Sequence, residues 1–212
     1  MKKFLLLLLC IPFLLGAGHG VDKATLATTT ITYEHHEVHA GSSFTVHYDN
    51  TTSSDDDHRT AIAFTTANTA SWMHATVSIL ASSPAEFFIY EAATGIDDDD
   101  GSFATAINRN RNSSNTSGIL SIDNPAVANT VTTYTESELT DATVATTGTT
   151  ITHFTLAGGE GPREVGGSTR GAQEWILKQN TVYLLVMQNI GANANIHEIQ
   201  LDWYEHQDKE PL

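Results

Sequence analysis

The chain contains one cysteine, Cys10, among its 212 residues. Because that cysteine falls in the apolar N-terminal segment, the rest of the chain can form no intramolecular disulfide and offers no thiol nucleophile. Basic residues are also scarce: 10 Lys and Arg stand against 25 Asp and Glu, for a formal net charge of −15. Phosphate binding needs clustered Lys and Arg, so this composition disfavours nucleic acid and anionic membranes as partners.

The apolar run over residues 4–15 is too short to predict a stable membrane span. Two lysines precede it and three small residues follow it, which is the layout of a secretory signal peptide. A retained hydrophobic N-terminal arm is the alternative. We therefore expect a leader over residues 1–20, a folded domain over residues 25–207 and a short tail over residues 208–212.

Thirty threonines, with Val, Ile, Tyr and Phe in short runs between turn-rich segments, favour strands over helices. The candidate strands are residues 28–39, 43–49, 59–66, 73–81, 86–91, 103–108, 130–136, 150–156, 172–178, 182–188 and 196–204. Short strands at this spacing, without a convincing amphipathic helix, predict an all-β fold. We expect a single domain that forms an antiparallel β-sandwich or a jelly-roll-like sandwich.

The last three candidate strands carry the clearest patterns. Residues 182–187 are apolar on both faces, as in a central strand, whereas His197, Ile199, Leu201 and Trp203 alternate with polar residues and define one inward face. We predict that these three strands form an antiparallel meander whose middle strand is covered on both sides.

Histidine is concentrated near the start of the predicted domain, with four of the ten histidines in residues 35–47. The small residues 40–42 predict a hairpin turn. Because strand side chains alternate, the exposed face of that hairpin would hold His35, Glu37, His39 and His47. These residue types bind zinc or a similar transition metal. A solvated polar face, on which Glu37 pairs with a neighbouring histidine, is the interpretation that the spacing favours over a metal site.

Two acidic runs, residues 55–57 and 97–100, resemble calcium loops in composition but do not meet the EF-hand spacing. Solvated acidic turns are the simpler interpretation, and a calcium site spanning two loops is the alternative. The sequence contains no Gly-x-Ser-x-Gly elbow, phosphate-loop ending or His-Glu-x-x-His signature, so no enzyme class is supported. The glycine-rich residues 157–171 suit either a mobile connection or contact with a neighbouring subunit.

Five segments resemble a widespread group of tailed-bacteriophage virion proteins. They are residues 33–44 (Tyr-Glu-His-His-Glu-Val-His-Ala-Gly-Ser-Ser-Phe), 59–64, 85–92, 108–113 and 195–206, the last containing Trp-Tyr-Glu-His. The resemblance implies a non-enzymatic structural or attachment component of the particle, on the head surface or the tail. It also implies contacts with other virion proteins or with further copies of the chain in a homo-oligomer, and a host-surface glycan is a further candidate partner.

The leader departs from that group, because phage structural proteins assemble in the bacterial cytoplasm and do not normally need export. The alternative function is a secreted or cell-surface β-sandwich that binds glycans through exposed aromatic side chains and loop carboxylates. A metal-binding cupin-like enzyme is a third and weaker interpretation. The expected location is the virion, with secretion or the cell surface as the alternative.

Overall fold

The computed structural model describes residues 20–21, 28–29, 33–50, 59–96, 101–122, 124–134, 148–157, 163–165, 174–190 and 194–207. Residues 1–36 and 37–212 form two compact units. In the first unit, β1 (Gly20–Val21) pairs antiparallel with β2 (Thr28–Thr29). Helix α1 comprises Tyr33–Ala40. The predicted leader, apart from Gly20, and the predicted tail lie outside the described residues.

The second unit is built from antiparallel strands. They are β3 (Ser43–Asn50), β4 (Arg59–Thr65), β5 (Ser71–Ala81), β6 (Ala85–Glu91), β7 (Ser102–Thr105), β8 (Ile107–Asn108), β9 (Thr130–Tyr134), β10 (Thr149–Leu156), β11 (Arg163–Val165), β12 (Trp175–Leu177), β13 (Val182–Asn189) and β14 (His197–Gln207). Most of them coincide with predicted strands to within a few residues, because the alternating pattern is a local property of the sequence.

The strands of the second unit form two sheets. Sheet I has the order β10-β6-β13-β4-β9-β7, and sheet II has the order β11-β5-β14-β3-β8, with β12 also paired to β5. The chain passes repeatedly between the sheets, from β3 to β4, from β4 to β5 and from β5 to β6, and again from β13 to β14. This is the double Greek-key arrangement of a jelly roll. The predicted all-β antiparallel sandwich is therefore confirmed.

Alternate apolar side chains of both sheets fill the space between them. Trp203 is fully buried on β14, and its ring centroid lies 5.8 Å from that of Phe44 on the neighbouring strand β3. The predicted inward face of β14 is confirmed, since His197, Ile199, Leu201 and Trp203 are all buried. The residues of β14 that alternate with these four point to the outer face of sheet II.

The predicted meander of the last three strands is wrong. Strand β12 pairs with β5, β13 lies between β6 and β4 in sheet I, and β14 lies between β5 and β3 in sheet II. The expectation of a central, buried β13 is nevertheless confirmed, because residues 183–187 are buried. Periodicity shows which positions of a strand are apolar, but it carries no information on which sheet the strand joins.

The predicted strand over residues 28–39 is also wrong over residues 33–39, because residues 33–40 are helical. Gly41 adopts a φ of 73° and ends the helix. The amide of Gly41 donates to Val38 O at 3.1 Å, and the amide of Ser42 donates to Glu37 O at 2.9 Å. This is the Schellman arrangement that closes a helix with a left-handed glycine. The small residues interpreted as a hairpin turn are thus a helix stop.

Candidate functional site

The predicted metal ligands do not lie along one hairpin. His35, Glu37 and His39 belong to helix α1, where Glu37 is buried and His39 is exposed. His47 lies on β3, whose paired strands are β14 and β8. The predicted hairpin that would have brought His35 and His47 onto one face is therefore wrong, because residues 33–40 are helical and β3 pairs with β14 and β8.

His47 is instead part of an exposed charged group on sheet II. Its Nε2 lies 3.1 Å from Glu198 Oε1, and its Nδ1 lies 3.8 Å from Asp49 Oδ1. Within the described residues, no group of three or more His, Cys, Asp or Glu side chains is placed to hold a metal ion. Metal binding by the four predicted residues stays a prediction, and the acidic runs 55–57 and 97–100 lie outside the described residues.

A different histidine pair lies on the outer face of sheet II. Because Ala75 and Trp203 point into the core, their chain neighbours His74 and Tyr204 point to the other face. The β5–β14 register pairs His74 with Tyr204 and places His206 diagonally from His74. His74 Nε2 lies 2.9 Å from His206 Nε2. We call His74, Tyr204, His206 and the nearby Glu174 the His74 cluster.

The outer nitrogens of the two rings face oxygen atoms. His74 Nδ1 lies 3.2 Å from the Tyr204 hydroxyl and 3.5 Å from Glu174 Oε1. His206 Nδ1 lies 3.4 Å from the carbonyl oxygen of Gln207. Glu174 directly precedes β12, whose pairing with β5 brings this carboxylate to His74. Glu174 Oε1 is buried and accepts no well-formed hydrogen bond within the described residues.

Ring stacking holds the cluster together. The His74 ring centroid lies 4.7 Å from that of Tyr204 and 4.3 Å from that of His206.

Burial lowers the pKa of His74, and the positive charge that His206 can carry lowers it further. The carboxylates of Glu174 and Glu37 oppose both effects. The neutral imidazole is therefore the favoured form of His74 near neutral pH, and a neutral imidazole can accept a proton or bind a metal ion.

A shallow groove of about 270 Å³ lies beside this cluster and is lined by Trp72, Ile176, Leu177, Lys178 and Gln179. Trp72 is the register partner of His206, so the groove and the cluster share one face of sheet II. The Trp72 side chain is 37 % exposed. An exposed indole beside polar side chains is suited to stacking against the apolar face of a ligand ring.

Sequence reasoning missed the His74 cluster. Part of the signal was present, because the predicted inward position of Trp203 implies that Tyr204 faces outward. The missing information was the pairing of β5 with β14, which joins residues 132 positions apart in the chain. Glu174 could not be found either, since it depends on the pairing of β12 with β5.

A second group of polar side chains fixes the end of α1. Asn108 Nδ2 donates to Gly41 O at 2.8 Å, Asn110 Nδ2 donates to His39 O at 3.0 Å, and Asn115 Nδ2 donates to Gly41 O at 3.3 Å. The carbonyl groups at a helix C-terminus lack partners inside the helix, and these amides supply them. The asparagine-rich loop is therefore a structural support for the turn between α1 and β3.

The part of the chain that the structure describes includes no helix with the length and apolar character needed to cross a membrane. No family model, curated protein or solved structure matches this chain.

Proposed function

We propose that this chain is a non-enzymatic virion component, a structural or attachment module built on a jelly roll. One observation carries the proposal. Two of the segments that resemble phage virion proteins, residues 33–44 and 108–113, are in contact. The side-chain amides of Asn108 and Asn110 donate to the carbonyl groups of Gly41 and His39. Distinctive residues of these two segments thus stabilise the turn between α1 and β3. Sequence segments that proteins of one architecture share are expected to stabilise that architecture in this way.

The other phage-like segments are parts of the scaffold. Residues 59–64 lie in β4, residues 85–92 cover β6, and residues 195–206 cover most of β14, and each of these strands is flanked by partners on both sides. Most of their side chains are buried or partly buried. A module of this kind acts through its surface, and other virion proteins or further copies of the chain are its proposed partners.

One edge of sheet I supports contact between copies of the chain. Among the described strands, β10 lies at one edge of that sheet, and its residues 149–156 include no Asp, Glu, Lys or Arg. Phe154 on this strand is 42 % exposed. A net charge of −15 makes copies of the chain repel one another, so an uncharged surface is where contact is least disfavoured, and an uncharged edge strand is prone to pair with another strand. A homo-oligomer with closed symmetry is the proposed assembly.

The assembly can be tested by cross-linking and light scattering. Phe154→Lys should shift the protein to monomers, because it places a charge on the pairing edge. Phe103→Lys is the matched control, since Phe103 is 55 % exposed on β7 at the opposite end of the same sheet. If the wild-type protein is a monomer, or if both variants dissociate the oligomer equally, β10 is not the contact between copies.

Location is tested by mass spectrometry of purified particles and of culture supernatant, which also reports the mature N-terminus. A fixed copy number per particle, with antibody labelling at one position, is the expected result. Protein found in the supernatant and absent from every particle fraction would overturn the virion assignment in favour of the secreted module.

Glycan binding is the second candidate function, and the groove at Trp72 favours it. Binding to a host-surface glycan should be lost in Trp72→Ala and kept in Trp175→Ala. The second variant is a matched control, because Trp175 is 36 % exposed but does not line the groove. Glycan-array binding that is absent in wild type, or unchanged in Trp72→Ala, would exclude this site.

A further inference from the structure

The Nε2 atoms of His74 and His206 converge from neighbouring strands on one point of the outer face of sheet II. We propose that these two histidines form a binding site for a borderline transition-metal ion such as Zn²⁺, Ni²⁺ or Cu²⁺. This site differs from the one that the sequence predicted at residues 35–47. It is also independent of where the protein resides.

The oxygen atoms beside the outer ring nitrogens support a cation between the two Nε2 atoms. His74 Nδ1 faces Glu174 Oε1 at 3.5 Å, and His206 Nδ1 faces Gln207 O at 3.4 Å. When each Nδ1 carries the ring proton, on the side of these oxygens and of the Tyr204 hydroxyl at 3.2 Å from His74 Nδ1, each Nε2 carries a lone pair. Two lone pairs at 2.9 Å repel each other, and a cation between them removes the repulsion.

The surroundings of the pair match those of metal-binding histidines. Such histidines usually donate their second N–H to a carboxylate or a backbone carbonyl, and Glu174 and Gln207 provide one of each. The buried charge of Glu174 favours a cation nearby. His74 is 8 % exposed, whereas His206 is only partly buried, so an ion can reach the pair from the His206 side.

The geometry requires a small adjustment. Metal–nitrogen bonds of about 2.0–2.1 Å in a tetrahedral site place two nitrogens about 3.3 Å apart, so the rings must separate by about 0.4 Å. Water would complete the coordination, since the described residues provide no group of three or more ligands. Imidazole ligands favour Zn²⁺, Ni²⁺ and Cu²⁺ over Ca²⁺ or Mg²⁺.

The competing explanation is a shared proton, because 2.9 Å is also an ordinary N–H···N distance. Calorimetric titration of the metal-stripped full chain with Zn²⁺ and Cu²⁺ at neutral pH separates the two. We expect one equivalent to bind, and Cu²⁺ should show hyperfine coupling to two imidazole nitrogens in electron paramagnetic resonance. An absence of binding, with changes in the histidine NMR signals on acidification alone, would overturn the proposal in favour of the shared proton.

Variants locate the site. His206→Ala should weaken binding at least tenfold, and Glu174→Gln should weaken it about tenfold through the orientation of His74. His153→Ala is the matched control, because this histidine pairs with Glu86 on sheet I and should not affect binding. His39→Ala tests the sequence-predicted site and should also leave binding unchanged. Circular dichroism verifies folding, and equal affinity in wild type and His206→Ala would exclude the pair.

Discussion

The indole Nε1 of Trp203 lies 3.0 Å from Oε1 of Glu205, two residues further along β14. The same carboxylate accepts the amide N–H of Gly118 at 3.1 Å and the hydroxyl of Ser117. Trp203 is the largest fully buried side chain of the sandwich. Glu205 therefore joins the core to the loop that precedes Ile119.

Replacement of Glu205 by Ala should lower the free energy of unfolding by about 1–3 kcal/mol, because the amide of Gly118 loses its acceptor and the indole N–H of Trp203 keeps only Ser117 Oγ at 3.2 Å. Urea denaturation measures this change. Glu198→Ala is the control on the same strand, and loss of its exposed contact with His47 should cost at most about 1 kcal/mol. Equal costs for the two variants would contradict the proposed role of Glu205.

Trp203→Ala should cost about 3–5 kcal/mol, because it removes a fully buried ring and leaves a cavity against Phe44. The half-exposed Trp72 provides the comparison, and Trp72→Ala should cost about 0.5 kcal/mol. Thermal and urea unfolding of both variants checks the difference. A Trp203→Ala variant as stable as wild type would show that this ring does not organise the core.

Gly41→Ala should destabilise the protein by about 1–3 kcal/mol, since φ is 73° and the new Cβ would lie 2.7 Å from Ser113 Cβ. The double variant Gly41→Ala/Ser113→Gly relieves the contact but keeps the backbone strain. A double-mutant cycle should therefore recover part of the loss. Independent, additive effects would mean that residues 41 and 113 do not touch in solution.

The pH dependence of stability should report on Glu91. Lys178 Nζ lies 2.6 Å from Glu91 Oε1, and the Tyr183 hydroxyl donates to Oε2 at 2.9 Å. The hydrogen bond from Lys178 lowers the pKa of Glu91 below its ordinary value of 4.5, although burial opposes it. Because the folded pKa is the lower one, this stabilisation is present above the unfolded pKa and is lost as pH falls through the folded pKa.

The difference in unfolding free energy between wild type and Glu91→Gln should accordingly be constant from about pH 7 to 5 and shrink at lower pH. Lys178→Gln should weaken this acid dependence, because it removes the main cause of the pKa shift. Chemical denaturation at several pH values gives the measurement. A difference that grows on acidification would reverse the sign and refute the assignment.

Strand positions were predictable because alternation depends only on neighbours in the chain. In the sequence, His197, Ile199, Leu201 and Trp203 stand two residues apart and alternate with polar residues, which predicts that they share one face. All four are buried. Helix α1 was not predictable from the same pattern, because Gly41 suits both a hairpin turn and a left-handed helix stop. The amides of Asn108 and Asn115, distant in the chain, help to stabilise the turn.

The sequence by itself determined the class of the fold, the approximate limits of most strands and the inward side of β14, since these depend on local periodicity and β-propensity. Only the tertiary structure decided which strands are neighbours, and so which polar side chains meet. His74 contacts His206 because β5 lies beside β14. His35 and His47, which were predicted to lie in one hairpin, instead occupy a helix and a strand. Pairing of strands depends on the packing of the whole sandwich, and no local pattern encodes it.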